Sequence, residues 1–234
     1  MEIRPIAYFR SPMKSKFGIP RQSGLVSELA GQIVMEPEYR QRECLRGIED
    51  FDYLWLIWEF FDKRGGHAGA TSPDSGESLT VRPPRLGGNR RMGVFATRSP
   101  FRPNHLGLSC VLLDRIETDP KLGPVIYVRG ADLVDRTLIY DIKPYITYAD
   151  AHPQARSGFV DATAWEPLRV TIPEAVAALI PADLLEGLKA VLAQDPRPRY
   201  HDDPERMYGM PFYDFDIRFK VADGELVVVN CVKN

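Results

Sequence analysis

The sequence predicts a mainly β protein, a barrel followed by a small α+β domain. Up to about residue 150, short runs rich in Val, Ile, Phe, Tyr and Trp alternate with Gly, Pro, Asn and Asp, as strands alternate with turns. Many short strands with turn residues between them fit a closed or partly closed β-barrel better than a βαβ sheet. Beyond about residue 165 a helical apolar spacing precedes two strand-like runs joined by Asp223-Gly224, a strong hairpin signal. The expected division is a barrel domain at residues 1–150, a linker at 151–164 and the α+β domain at 165–234.

Taken in order, residues 3–10 (IRPIAYFR) alternate like a strand and run into a Ser-Pro turn. A loop with Pro20, Arg21 and Gln22 follows, then a second strand at 32–35. Residues 37–48 read as a short helix with a proline near its start and Gly47 ending it. Residues 51–61 (FDYLWLIWEFF) are dense in aromatic and β-branched side chains and read as a buried strand. Residues 63–78 are rich in Gly and Ser without apolar pattern, the signature of a lid-like loop. Strands are expected at 91–97, 107–116, 125–129 and 138–145. Residues 173–194 read as helix broken at Pro181, and 208–229 as the closing hairpin.

The 234 residues carry 30 Lys and Arg against 32 Asp and Glu, a net charge of -2. That balance alone does not point to nucleic acid. No apolar run reaches the roughly 18 residues of a membrane span, and the N-terminus lacks the apolar core of a secretory signal. Cys44, Cys110 and Cys231 are scattered, as are the four histidines. Neither a disulfide framework nor a metal site is expected, and a reducing cytoplasm is the natural compartment. No G-x-G-x-x-G follows a strand, and neither G-x-x-x-x-G-K-[ST] nor G-x-S-x-G occurs, which disfavours Rossmann, P-loop and α/β-hydrolase sites. Cys110 lies within the apolar GLSCVLL and reads as a core thiol.

Charge is nonetheless concentrated. Residues 81–113 hold Arg82, Arg85, Arg90, Arg91, Arg98 and Arg102, and no Asp or Glu occurs from Ser78 to Leu113. A basic, turn-rich segment points to an anionic partner such as phosphate or nucleic acid; a solvated basic loop has the same composition. Polar residues gather at 20–22, 98–104, 132–137 and 141–144, each beside a strand end, and loops at one barrel rim can converge on one cavity. Asp141 and Lys143 share a strand face, which suits a site or a surface ion pair.

The run PRLGGNRRMGVFATRSPFRPNHLGLS, with DIKPY at 141–145 and PRQ at 20–22, resembles the TrmO family of tRNA adenine-37 N6-methyltransferases, also called TsaA-like or YaeB-like. LAQDPRPRY at 192–200 resembles the C-terminal domain of its longer bacterial members. The resemblance covers nearly the whole chain. It implies a β-barrel that binds S-adenosylmethionine and methylates N6 of threonylcarbamoyl-adenosine at position 37, beside the tRNA anticodon. It also implies a homodimer with the cofactor near the subunit interface. Carried over position by position, cofactor contacts fall on Pro20, Arg21, Gln22, Phe61, Asp62, Arg98, Leu108, Asp135, Arg136, Thr137 and Leu138. Two places depart from the family pattern. Asp135-Arg136-Thr137-Leu138 stands for D-G-T-P, where losing the glycine matters if the turn needs positive φ. His105 replaces the proline common after FRPN. Phe95 and Val111 are expected in the barrel core.

Methyl transfer from a sulfonium is an in-line displacement and needs the nucleophile about 3–3.5 Å from the methyl carbon. The resemblance makes the acceptor a urea-type N–H, for which a general base is expected: Asp141, with Lys143 as its electrostatic partner. The threonyl carboxylate suits a planar guanidinium fork at Arg102 or Arg85. Arg82, Arg90, Arg91 and Asn104 are left for the anticodon loop. Two alternatives stand beside this: a nonenzymatic RNA-binding barrel whose arginines only track phosphates, and a metal-dependent nucleotide or phosphate hydrolase built on Asp132, Asp135 and Asp141.

Overall fold

Among the described residues ten strands lie in the N-terminal part, and six of them form a ring. A computed structural model of the protein describes residues 2–62, 66–67, 79–86, 90–163, 166–197 and 203–234, with the backbone alone at 61, 62, 66, 67 and 85. In chain order the strands are β1 (Ala7–Arg10), β2 (Ala30–Met35), β3 (Tyr53–Glu59), β4 (Phe61–Asp62), β5 (Gly66–His67), β6 (Thr80–Val81), β7 (Met92–Gly93), β8 (Leu106–Asp119), β9 (Gly123–Arg129) and β10 (Leu138–Pro144). β1, β10, β3, β8, β9 and β2 pair antiparallel in that order, and β2 returns to β1. The short pairs β4–β5 and β6–β7 stand outside the ring.

Strand alternation decides what fills the interior. Leu54, Leu56 and Trp58 of β3 point in, as do Phe9, Ile33, Val111, Ile126, Val128 and Ile139. A barrel interior is comfortably filled at about eight strands, so six leave little room for rings. Two glycines make that room. A Cβ on Gly31 would lie 2.2 Å from Phe9 Cζ, and one on Gly107 would lie 2.3 Å from Trp58 Cε2.

The chain then makes the single turn α1 (Thr147–Asp150), β11 (Arg169–Thr171), α2 (Glu174–Ala177) and α3 (Ala182–Ala193). It ends with β12 (Tyr208–Phe212), β13 (Phe215–Ala222) and β14 (Glu225–Lys233). The sheet order is β11-β14-β13-β12, with β11 parallel to β14. Pro181 separates α2 from α3, and Asp223 and Gly224 turn the hairpin at φ 49 and 75, as an Asp-Gly turn requires. Leu188, Val191 and Leu192 of α3 pack on Met210, Phe212, Ile217, Phe219 and Leu226. Met13, Val26 and Leu29, from the connection between β1 and β2, belong to this second core and not to the barrel's.

Several local expectations change. Residues 37–48 form short 3-10 segments at Pro37–Tyr39 and Arg42–Leu45, with a third at Ile48–Asp50. Leu45 is their one buried residue, so no apolar stripe holds a longer helix. Gly47 still stops the first stretch, at φ 84. The strand expected at 91–97 is the two residues of β7 and a helical turn at Val94–Ala96. That turn buries Val94 and leaves Phe95 74% exposed, so Phe95 is not in the core, whereas Val111 is. β3 is buried on one face only. The expected lid at 63–78 lies outside the described residues apart from the backbone of Gly66 and His67.

Gly31→Ala tests the interior. Overpacking against Phe9 is expected to cost about 1–3 kcal/mol, read as a lower urea midpoint with unchanged slope.

Candidate functional site

The site grows from an interruption in the ring. β9 pairs with β8 only from Leu112 onward, while β3 pairs with β8 back to Leu106. The free edge at Leu108–Cys110 is met by loops. Cys110 N donates to Ser23 Oγ at 3.1 Å, and Gly24 N donates to Gly130 O at 2.8 Å. Arg98 Nη1 donates to Gln22 Oε1 at 2.5 Å. Leu108 lies on the outer face, 55% exposed. Residues from PRQ, ATRS and LGLS, far apart in the chain, therefore meet.

A buried polar chain supports this edge. Trp58 Nε1 donates to Ser109 Oγ at 2.9 Å, and Ser109 Oγ donates to Asp132 Oδ1 at 2.5 Å. Asp132 sits between Ala131 and Leu133, both in the barrel core. Burial pushes its carboxyl up; the Ser109 hydroxyl and the Arg98 charge pull it back. Asp132 entered the sequence reading only through the 132–137 polar cluster and the metal-dependent alternative, and Ser109 and Ser23 were not among the expected site residues. One signal existed: in GLSCVLL, Ser109 falls on the inward side with Val111, where a polar side chain needs a partner. The thiol of Cys110, by contrast, is pushed up by burial and by Asp150, which suits packing better than nucleophilic attack.

Asp141 joins the same outer face two strands away. Directly opposed residues share a face, and Leu108 opposes Ile57 while Ile57 opposes Asp141. The separation is two strand spacings, about 10 Å. The register shifts between Ile139 and Asp141, so Tyr140 and Asp141 both project outward, as at a bulge. Tyr140 donates to Glu59 Oε2 at 2.6 Å. Lys143 Nζ lies 2.8 Å from Asp141 Oδ2, and this exposed pair adds only ~0–1 kcal/mol of stability.

The turn at 135–138 continues the loop that carries Asp132. Asp135 accepts from Ser11 N at 3.0 Å, and Thr137, buried, donates through Oγ1 to Val134 O at 2.7 Å. Arg136 holds φ 68 with its guanidinium 5.1 Å from the Tyr8 ring centre. The turn thus keeps the left-handed geometry of a glycine, at roughly 1–2 kcal/mol for an L-residue. His105 sits at φ 50, which a proline ring cannot adopt. Pro20 is buried, Arg21 exposed and Leu138 half-buried.

Arg82, Arg90, Arg91 and Asn104 are exposed, and Arg102 Nη1 donates to Thr97 O at 3.2 Å. Phe101, 61% exposed, lies beside Arg102. Phe61 and Asp62 form β4; their side chains, and that of Arg85, lie outside the described residues. Asp132, Asp135 and Asp141 have separate partners, and among the described residues no three His, Cys, Asp or Glu gather as a metal group. Among them, too, no helix is long and apolar enough to cross a membrane.

Residues 8–151 match the tRNA-methyltransferase O N-terminal domain model, and residues 166–234 match the TrmO C-terminal domain. The chain belongs to the TrmO family. A tRNA (adenine(37)-N6)-methyltransferase of Escherichia coli (strain K12) is 37% identical over 230 residues, 95% of this chain and 94% of that protein. A Pseudomonas aeruginosa protein provisionally named S-adenosylmethionine-dependent methyltransferase RcsF is 36% identical over 234 residues, 97% of this chain and 95% of its own. A crystal structure of TrmO superposes with a TM-score of 0.76 at 31% identity, covering 99% of each chain.

The residues of the TrmO edge fit S-adenosylmethionine in chemical kind. That molecule is a zwitterion with an added sulfonium charge and an apolar purine face. The edge offers a guanidinium at Arg98, a half-buried carboxyl at Asp132 and an exposed aliphatic wall at Leu108.

Tyr140 gives a pH test of the outer face. Burial first, and then Glu59, raise its phenol to about 12. Its folded value lies above the ordinary value near 10, so its contribution to stability is full below pH ~10 and is lost as pH rises towards 12. Absorbance titration is expected to show a late phenol that Tyr140→Phe removes and Glu59→Gln shifts down.

Proposed function

We propose that this chain methylates N6 of threonylcarbamoyl-adenosine at position 37 of tRNA with S-adenosylmethionine, as a cytoplasmic homodimer. Membership of TrmO and the names of full-length relatives support the tRNA methyltransferase class. The observation that carries the site is the meeting of Gln22 and Arg98 near exposed Leu108 and half-buried Asp132, with Asp141 on the face of Leu108.

S-adenosylmethionine supplies an electrophilic methyl group on a cationic sulfur. Arg98, steadied by Gln22, is suited to its carboxylate, and Leu108 to its purine. Asp132 balances positive charge without sitting on the exposed face. Pro20, Arg21 and the turn at Asp135–Leu138 flank the same loops and complete the proposed cofactor contacts, with Phe61 and Asp62 of β4. Asp141 is the proposed base, taking the acceptor N–H proton while Lys143 fixes its carboxylate. About two strand spacings between Leu108 and Asp141 leave room for a base to lie across the sheet.

The arginine segment is suited to the RNA. Arg82, Arg90 and Arg91 are exposed for phosphates. Asn104 is an exposed hydrogen-bonding group on the same segment. Phe95 and Phe101 present phenyl faces between these cations, as unpaired nucleobases require. Arg102 or Arg85 would take the threonyl carboxylate, which distinguishes the modified base from plain adenine. Tyr53, Ile57, Leu106 and Leu108 leave an apolar stretch on the outer face. A second copy covering it would also shield the site from water.

The direct experiment is mass spectrometry of position 37 in tRNA incubated with the protein and S-adenosylmethionine, and in tRNA from cells lacking it. The methylated nucleoside is expected to appear in the first and vanish in the second. Its persistence in the deletion would refute the proposal. Arg102→Ala is expected to erode discrimination against unmodified adenine, whereas equal losses on both substrates would reduce Arg102 to a phosphate contact. Phe95→Ala and Phe101→Ala are each expected to raise KM for tRNA by on the order of tenfold, in line with ~1–3 kcal/mol per stacked base, with KM for S-adenosylmethionine unchanged.

A further inference from the structure

We infer that the C-terminal domain sets the affinity of the cofactor site by holding the loop that reaches it. The inference rests on the assignment of Gln22 and Arg98 to the cofactor made above. The connection between β1 and β2, residues 11–29, contains no helix or strand. Its order must therefore come from contacts with its surroundings.

Backbone bonds at Ser11, Met13, Gly24 and Leu29 reach the loop at 130–135, but the apolar contacts go to one place. Met13, Val26 and Leu29 are buried in the C-terminal core, and Phe17 and Ile19 pack against it. None of the five belongs to the barrel core. The Phe17 ring stacks on Phe219 with centroids 6.5 Å apart. Tyr213 N, in the turn between β12 and β13, donates to Pro12 O at 2.9 Å. Gly18 lies so close to β12 that a Cβ would stand 2.2 Å from Met210 Sδ, and its φ of 89 belongs to the left-handed region. Gly187 of α3 faces Glu28, where a Cβ would meet the backbone oxygen at 3.7 Å.

Four residues beyond Gly18 the loop is already at the site. Gln22 accepts from Arg98, Ser23 accepts from Cys110 N, and Gly24 donates to Gly130. One end of a short lever is clamped in the C-terminal core and the other presents polar groups to the cofactor edge. A loop not so clamped would lose conformational freedom at every binding event, and that loss lowers affinity. Phe17 and Gly18 are thus positioning residues. They act through Gln22 and Ser23 and touch no ligand themselves.

The test compares the full-length protein with Phe17→Ala, Phe17→Leu, Gly18→Val and Arg98→Ala, by calorimetric titration with S-adenosylmethionine and by steady-state kinetics. Phe17→Ala and Gly18→Val are expected to raise Kd and KM for S-adenosylmethionine by roughly tenfold. At saturating cofactor kcat should stay within about twofold, since the bound loop occupies the same place. KM for tRNA should not move, and Phe17→Leu should restore most of the affinity. Should Gly18→Val fail to fold, the Phe17 pair decides. If Arg98→Ala weakens the cofactor while the Phe17 and Gly18 variants bind it like the parent, the inference is overturned and the cofactor assignment stands. If Arg98→Ala leaves affinity unchanged, the cofactor assignment itself falls. A drop in kcat with unchanged KM at Phe17 also overturns the lever.

Discussion

The hydrogen-bond chain from Trp58 through Ser109 to Asp132 ties the barrel interior to its working edge. An indole is large for a six-stranded interior, and Gly107 opposite it makes the space. Packing alone leaves the indole N–H unpaired, which burial makes costly. Ser109 accepts that proton and donates its own to Asp132, so the core's polar need is met by a carboxylate at the rim. The carboxylate is a third-hand consequence of filling the barrel, and it also interacts electrostatically with Arg98. In the proposed site stability and recognition share one set of atoms, so a change at any of the three would be felt in both.

The same economy governs the loops. A ring closed by backbone pairing has little freedom to bind anything along its paired stretches, because every backbone group there is used. Binding chemistry must then enter where pairing stops. β8 outruns β9 at Leu112, and the loops at 20–24 and 130–138 occupy the vacated edge. Of the non-glycine residues at positive φ, Arg136 lies in the second of these loops and His105 directly precedes β8. Strained backbone held by surrounding contacts tends to mark working positions, and at Arg136 the Tyr8 ring offers a cation–π partner to the side chain.

Much of this was legible in the sequence, and for identifiable reasons. Alternation is a local property, so β2, β9, β10 and the C-terminal hairpin could be read from their own residues. The Asp141–Lys143 pair followed from the same rule. ATRSPFRPN and DIKPY carried the family. Phe95 was misjudged because apolar character was taken as inwardness; whether VFAT continues as strand depends on pairing with β6, which ends after two residues. Residues 37–48 look helical by composition, but Leu45 is the one residue they bury, too little for a continuous apolar stripe. The pairing of Ser109 with Asp132 was not legible because 23 positions separate them, and only the closed ring makes them neighbours.

The helical and hairpin segments after residue 165 were legible as a separate α+β unit, but not what they hold. Met13, Phe17, Ile19, Val26 and Leu29 read as loop residues because no period connects them, yet they complete a core built some 160 to 200 positions later in the chain. Apolar side chains in a loop without secondary structure need a surface elsewhere, and here that surface is the face of α3 and β12–β13. The barrel supplies the paired edge and the half-buried carboxyl, while the second core anchors the loop that reaches them. A site assembled this way can tune cofactor affinity through residues that never approach the cofactor. It needs no glycine-rich phosphate loop, because the role such a loop plays through backbone geometry falls instead to packing between domains.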